Sequence, residues 1–132
     1  MPRWLDRLLR RPPRTQSLGE RGEDLASRFL RKLGYKIILR NFRCDLGEID
    51  IIARDGKTLV FVEVKARSYD EPTPEDQVSP RKRHQITKAG KFYLSRYGSE
   101  QPAARCDVVS VVWPEGQEAE VRHLKSAFEA TF

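Results

Sequence analysis

The sequence predicts an α/β domain: a central mixed sheet packed by helices, in the order α-β-β-β-α-β-β. Three observations carry this. Apolar residues recur at helical spacing in two stretches of the chain. Between and after those stretches lie short runs rich in Val, Ile and Phe with strand character. The pair Asp55-Gly56 joins two such runs as a hairpin signal.

The first helix is expected from Ser17. Ser17 and Glu20 have the Ser-x-x-Glu spacing of a capping box, in which each side chain satisfies a free backbone N–H. Leu18, Leu25, Ala26, Phe29, Leu30 and Leu33 follow at helical spacing, and Gly34 stands where a helix stops. Three strands come next. Tyr35–Arg43 contains Ile37, Ile38 and Leu39. A turn at Leu46-Gly47 leads to Glu48–Arg54, and Lys57–Lys65 closes the hairpin. Residues 66–78 hold Pro72, Pro74 and the acids Asp70, Glu71, Glu75 and Asp76. Their length and charge predict a mobile segment, or one that orders only with a partner. Ser79-Pro80 reads as an N-cap with proline at the first helical position. Ile86, Ala89, Tyr93, Leu94 and Tyr97 then form an apolar stripe ended by Gly98. Cys106–Trp113 is a further strand, Val121–Leu124 a short edge strand, and a final helical turn is expected near residues 125–130.

A chain of 132 residues is long enough for one domain with a self-sufficient core. Cys44 and Cys106 lack metal-ligand or disulfide spacing, which favours a reducing cytosol. No apolar run reaches the roughly 20 residues of a membrane span, and no Gly-rich phosphate loop is present. Ser68, Ser79 and Ser110 lack a nucleophile context, and His84 and His123 stand alone. The net charge of +6 is unevenly spread. The first 17 residues hold five arginines against Asp6 alone. There Trp4, Leu5, Leu8 and Leu9 form an amphipathic pattern ended by Pro12 and Pro13, so residues 1–16 are assigned to a basic arm and 17–132 to the domain. The second helix region carries Arg81, Lys82, Arg83, Lys88, Lys91 and Arg96 with no acid. Basic patches of this kind suit a polyanion such as nucleic acid, and equally a solvated surface.

Hairpin geometry points to the chemistry. With Asp55-Gly56 as a two-residue loop, paired positions sum to 111, so Asp50 faces Phe61 and Glu48 faces Glu63. Strand alternation then puts Glu48, Asp50, Glu63 and Lys65 on one face. Ile49, Ile51, Ala53, Val60, Val62 and Val64 share the other, which should meet a helix. Clustered carboxylates repel unless a proton or cation sits between them, and Mg²⁺ or Mn²⁺ prefers such oxygen ligands. Lys65 on the same side is placed to hold a phosphate or orient water, the arrangement of metal-assisted phosphodiester hydrolysis. A solvent-exposed strand face with surface ion pairs is the alternative.

Five segments carry a resemblance: Gly22-Glu23, Asn41-Phe42-Arg43, Gly47-Glu48-Ile49-Asp50, Phe61-Val62-Glu63-Val64-Lys65-Ala66-Arg67 and Arg105-Cys106-Asp107-Val108-Val109. Over about residues 17–130 the chain resembles the YraN-like family of small bacterial proteins. That family is similar to archaeal Holliday junction resolvases, within the PD-(D/E)xK nuclease superfamily of restriction-endonuclease-like fold. The resemblance implies that Asp50, Glu63 and the Val64 carbonyl bind Mg²⁺ or Mn²⁺. Glu63 and Lys65 match its Glu-x-Lys pair, and Glu23 would complete the catalytic set from the first helix. Arg81, Lys82, Arg83, Gln85 and Lys88 would contact phosphates. No proline precedes Asp50; Ile49 stands there. Asp107 is expected to pair with a nearby arginine. The implied activity is metal-dependent endonuclease cleavage of DNA, branched or single-stranded, in a cytoplasmic protein that resembles the resolvases in forming homodimers. A non-catalytic nucleic-acid-binding adaptor on the same fold is the alternative, and a protein-interaction module whose arm docks a partner or membrane is a third reading.

Overall fold

The computed structural model describes residues 16–132; the proposed basic arm lies outside the described residues apart from Gln16. The elements are α1 (Leu18–Lys32), β1 (Lys36–Cys44), β2 (Gly47–Asp55), β3 (Thr58–Arg67), a 3-10 turn (Pro74–Gln77), α2 (Pro80–Leu94), a second 3-10 turn (Ser95–Tyr97), β4 (Ala104–Val112) and β5 (Glu120–Phe128). The α-β-β-β-α-β-β order is as the sequence predicts. The five strands lie in chain order in one sheet. Only β3 and β4 are parallel, and α2 makes their crossover. Both helix starts follow their caps: the Ser17 hydroxyl accepts from the Glu20 N–H, and the Ser79 hydroxyl from the Lys82 N–H, each at 3.1 Å.

Each face of the sheet has its own core. On one face Ala26 and Leu30 of α1 pack on Ile51, Ala53, Val60, Val62, Val109 and Val111. On the other, Ile86, Ala89, Tyr93 and Leu94 of α2 pack on Ile52, Leu59, Phe61 and Cys106. Full burial of a large aliphatic side chain contributes ~1.5–3 kcal/mol, so these two layers dominate the stability. The close seating of α1 requires Gly22, because a Cβ there would lie 2.6 Å from the Ala66 Cβ.

Four expectations need correction. The β2–β3 hairpin turns on Gly56-Lys57: Asp55 pairs with Thr58 and Ile52 with Phe61, so paired positions sum to 113. Gly56, at φ +58°, is the residue suited to this turn. A shift of two preserves side-chain parity, so the β3 faces stand as expected. Ile49, however, joins the α2 core and not the Ile51 face. It pairs with Phe42, next to Asn41, whose left-handed φ of +55° interrupts the alternation of β1. The acidic segment is folded without a partner: Arg122 grips Glu75 at 2.8 Å and Asp70 at 3.1 Å, while Pro74 and Val78 are buried. Finally, residues 125–128 continue β5 where a helical turn was expected. Hydrogen bonding to β4 wins there, and the left-handed Ser126 (φ +48°) lets the strand bulge and rejoin.

Asp107 behaves as the sequence suggests. Fully buried, it accepts from Arg105 and from the Ser126 N–H, each at 3.0 Å, and bonds His123 at 2.8 Å. These donors hold its carboxyl below the ordinary range despite burial. His123 therefore serves this internal network.

Candidate active site

The sheet forks at the candidate carboxylates. The β2–β3 ladder ends at Ile51 and Val62. Beyond it, β2 stays with β1 as far as Gly47, and β3 stays with β4 as far as Arg67. Asp50 is the first residue of β2 past the fork, and Glu63 the first of β3. One Asp50 oxygen accepts the Val64 N–H at 2.8 Å, a backbone donor freed by the parting of the strands.

The two carboxyls lie close enough that the charge of Asp50 raises the Glu63 carboxyl. Between two carboxylates such a contact is favourable only with a shared proton or a bridging cation. Burial raises the Asp50 carboxyl above its ordinary value. Burial, and then the charge of Asp50, push Glu63 up to about 8. Its Oε2 is buried with no hydrogen-bond partner among the described residues.

Cations ring this pair. The Lys82 ammonium, in the first turn of α2, stands 3.7 Å from Glu48 and 4.0 Å from Glu63. Lys65 lowers the Glu63 carboxyl through its charge but makes no ion pair among the described residues. Glu48 is half exposed and shared with Arg43 at 3.4 Å. From the other face, α1 brings Glu23 close enough that burial first, and Asp50 second, raise its carboxyl. Arg40 holds Glu23 at 3.2 Å and Asp24 at 2.8 Å. The fold thus gathers Glu23, Asp50, Glu63 and Lys65 from three elements.

The basic residues of α2 divide. A groove of about 340 Å³ beside the fork is lined by Gly47, Glu48, Lys82 and Gln85 among others. Its depth depends on Gly47, where a Cβ would meet the Gln85 carbonyl at 2.9 Å. At 100° per residue Arg81 and Lys88 share the Gln85 flank, and both are exposed. Arg83 lies on the opposite flank, where it bonds the Val78 carbonyl at 3.0 Å and stacks over Phe128.

Arg40 and Asn41 were not singled out. Both reach Glu23, and Asn41 makes the kink in β1. Asn41 belonged to a segment shared with the resembled family, and an asparagine inside a strand run is itself a sign of left-handed backbone. Arg40 has no such sign.

Among the described residues no three His, Cys, Asp or Glu side chains converge as a ready cage for a metal ion. The donor chemistry still fits Mg²⁺ or Mn²⁺, which take one or two protein carboxylates and complete their shell with water and phosphate oxygens. The partnerless Glu63 Oε2 is the free ligand that such an ion requires.

Fold and site describe a mixed-sheet α/β domain with a buried and a half-buried carboxyl, Glu63 and Asp50, at a sheet fork. The profile of the uncharacterised protein family UPF0102 matches residues 22–111. Its relatives include a UPF0102 protein of Geotalea daltonii, 46% identical over 118 residues, covering 89% of this chain and 93% of that one. One from Geobacter sulfurreducens is 47% identical over 116 residues, covering 87% and 91%. A third, from Nocardia farcinica, is 43% identical over 114 residues, covering 86% and 90%. The chain belongs to the UPF0102 family.

Proposed function

We propose that this protein is a metal-dependent endonuclease acting on DNA, with branched or single-stranded DNA as its substrates. The observation that supports this most is the fork: it brings half-buried Asp50 to buried Glu63, leaves a Glu63 oxygen without a donor among the described residues, and sets Lys82 and Lys65 near Glu63. A purely structural carboxylate pair would cost stability and return nothing. Asp50, Glu63 and the Val64 carbonyl would hold Mg²⁺ or Mn²⁺, which supplies Lewis-acid stabilisation of the phosphate and a more acidic bound water.

The chain's own groups do the rest. Lys65, one side-chain pair along from Glu63 on the same face, orients water or a phosphate oxygen. Lys82 offsets the charge of Glu48 and Glu63 and reaches toward the phosphate. Glu23, held by Arg40, adds negative charge from α1. Arg81, Gln85 and Lys88 line the approach. Salt-sensitive binding follows from such phosphate contacts. The free thiols Cys44 and Cys106 suit the cytoplasm.

The test is cleavage of labelled duplex, single-stranded, flap and four-way-junction DNA with Mg²⁺ or Mn²⁺, alongside Asp50→Ala. Cutting that requires metal and disappears in Asp50→Ala is expected. Absence of cutting on every substrate, with metal-independent binding that Asp50→Ala retains, would overturn the nuclease reading in favour of the adaptor. The exposed cations of α2 would serve that role without the carboxylates.

A further inference from the structure

A second groove, outside the carboxylate fork, has no role in the reading above. It measures about 840 Å³ and is lined by Leu18 and Arg21 of α1, Ser68 beyond β3, and Trp113, Pro114 and Glu115 beyond β4, with Gln16 and Gly116 at its ends. Its aromatic member is the Trp113 indole, half buried and fixed in orientation by an Nε1–H bond to the Gln117 carbonyl at 3.0 Å. The Arg21 guanidinium stacks 4.8 Å from the indole centroid. Polar and apolar surfaces thus meet around one flat aromatic and one flat cation.

The fold sets this groove beside the fork. Ser68 follows β3, the strand that carries Glu63, and the Trp113 N–H bonds the Arg67 carbonyl at 2.8 Å. Gly22, between Arg21 and Glu23, rests on Ala66 and reaches Val111. Adjacent residues of α1 therefore serve the two places, Arg21 the groove and Glu23 the fork. From Glu63 to Ser68 the chain advances roughly 16 Å at about 3.3 Å per residue. A nucleic-acid strand covers that distance in about five nucleotides at its duplex rise, and fewer when drawn out. Lys65 and Arg67, both half buried, belong to the Glu63 face of β3, opposite the Ala66 face on which the groove opens, so a strand passing from groove to fork rounds the carboxyl end of β3.

We propose that the Trp113–Arg21 groove binds an unpaired nucleobase of a DNA strand whose phosphates run along the carboxyl end of β3 to the fork. A base presents a π-face to the guanidinium and indole, and every base does so, which makes such a platform sequence-tolerant. Arg21 at the groove and Lys65 on the Glu63 face match the strand's phosphates, while the Arg67 guanidinium is engaged by Gln77 and the Ala66 carbonyl. Glu115, exposed, is the one acid among the described lining residues and disfavours a phosphate beside it, which leaves the base as the inserted group. A paired base inside a duplex cannot enter, so the groove selects strands with single-stranded character. This proposal deepens the nuclease reading and rests on it for the direction of the strand.

The test uses the full chain with Trp4→Phe, so that Trp113 is its sole indole. Titration with oligothymidylate in the absence of metal should quench Trp113 fluorescence saturably. A blunt duplex of equal length should quench much less. With a fluorescently labelled oligothymidylate read by anisotropy, Trp113→Leu should weaken binding about tenfold or more, and Trp113→Phe should restore most of the loss. Arg21→Gln should weaken it by a smaller factor. Equal quenching by the blunt duplex, or unchanged affinity in both Trp113→Leu and Arg21→Gln, would overturn the proposal. The two readings fail separately. Quenching of Trp113, with affinity by anisotropy weakened in Trp113→Leu and no cleavage on any substrate, would keep the groove and refute the nuclease. Metal-dependent cleavage with unaltered affinity in Trp113→Leu would keep the nuclease and refute the groove.

Discussion

Glu63→Gln is expected to stabilise the folded protein at alkaline pH while removing a ligand of the candidate metal site. The Glu63 carboxyl is held at about 8 in the fold, against 4.5 ordinarily, by burial and by the neighbouring Asp50 charge. The folded state therefore keeps a proton that the unfolded chain releases. Between those two values the native state binds more protons, so stability falls as pH rises. The contribution is intact below about 4.5 and is lost once pH passes about 8. Each pH unit in that window removes at most about 1.4 kcal/mol. Across the window the loss is on the order of a few kcal/mol, a sizeable share of the ~5–15 kcal/mol that keeps a domain folded. Glutamine has the shape of the protonated acid and does not titrate. Urea unfolding of both proteins from about pH 5 to about pH 9 checks this. The two should be close at the acid end and diverge by a few kcal/mol at the alkaline end, with glutamine the more stable. Mn²⁺ at alkaline pH should narrow the gap by stabilising the wild type alone. A difference that does not vary with pH, or a Glu63→Gln protein less stable at about pH 9, would refute the shared-proton account of the fork.

Two further predictions concern the frame around the site. In Gly22→Ala the new methyl meets the Ala66 Cβ, which neither backbone can avoid. Overpacking of ~1–3 kcal/mol should exceed the ~1 kcal/mol gained in helix propensity. A lower urea midpoint is expected, and Ala66→Gly in the same chain should recover it. Asp107→Ala should destabilise by ~3–5 kcal/mol, because Arg105 and His123 lose a fully buried partner; thermal unfolding measures it, and an unchanged midpoint would show that water replaces the carboxylate.

Local patterns in the chain carried most of the elements. Ser17, Ser79 and Pro80 mark helix starts through bonds made within one turn, so their reading needs no partner elsewhere. The strand alternation put Glu63 and Lys65 on one face of β3, as the fold has them, although the hairpin register was off by two. Side-chain direction repeats every second residue, and an even shift leaves it unchanged. The same rule failed at Ile49, because Asn41 on the neighbouring strand breaks the alternation, and no pattern within β2 records a kink in β1.

The tertiary structure decided what lies between the elements. The fork exists because β2 follows β1 while β3 follows β4, a choice made by pairings across the whole sheet. It brings two ordinary acids together, one buried and one half-buried, and raises both carboxyls above their usual range. Arg122, distant in sequence from Asp70 and Glu75, converts an acidic segment into a folded one. Arg21 and Trp113 meet only because α1 lies across the carboxyl ends of β3 and β4. Charge, capping and periodicity act over a few residues and can be read along the chain. Burial, ion pairing and the parting of strands arise between distant residues, and only the packed fold contains them.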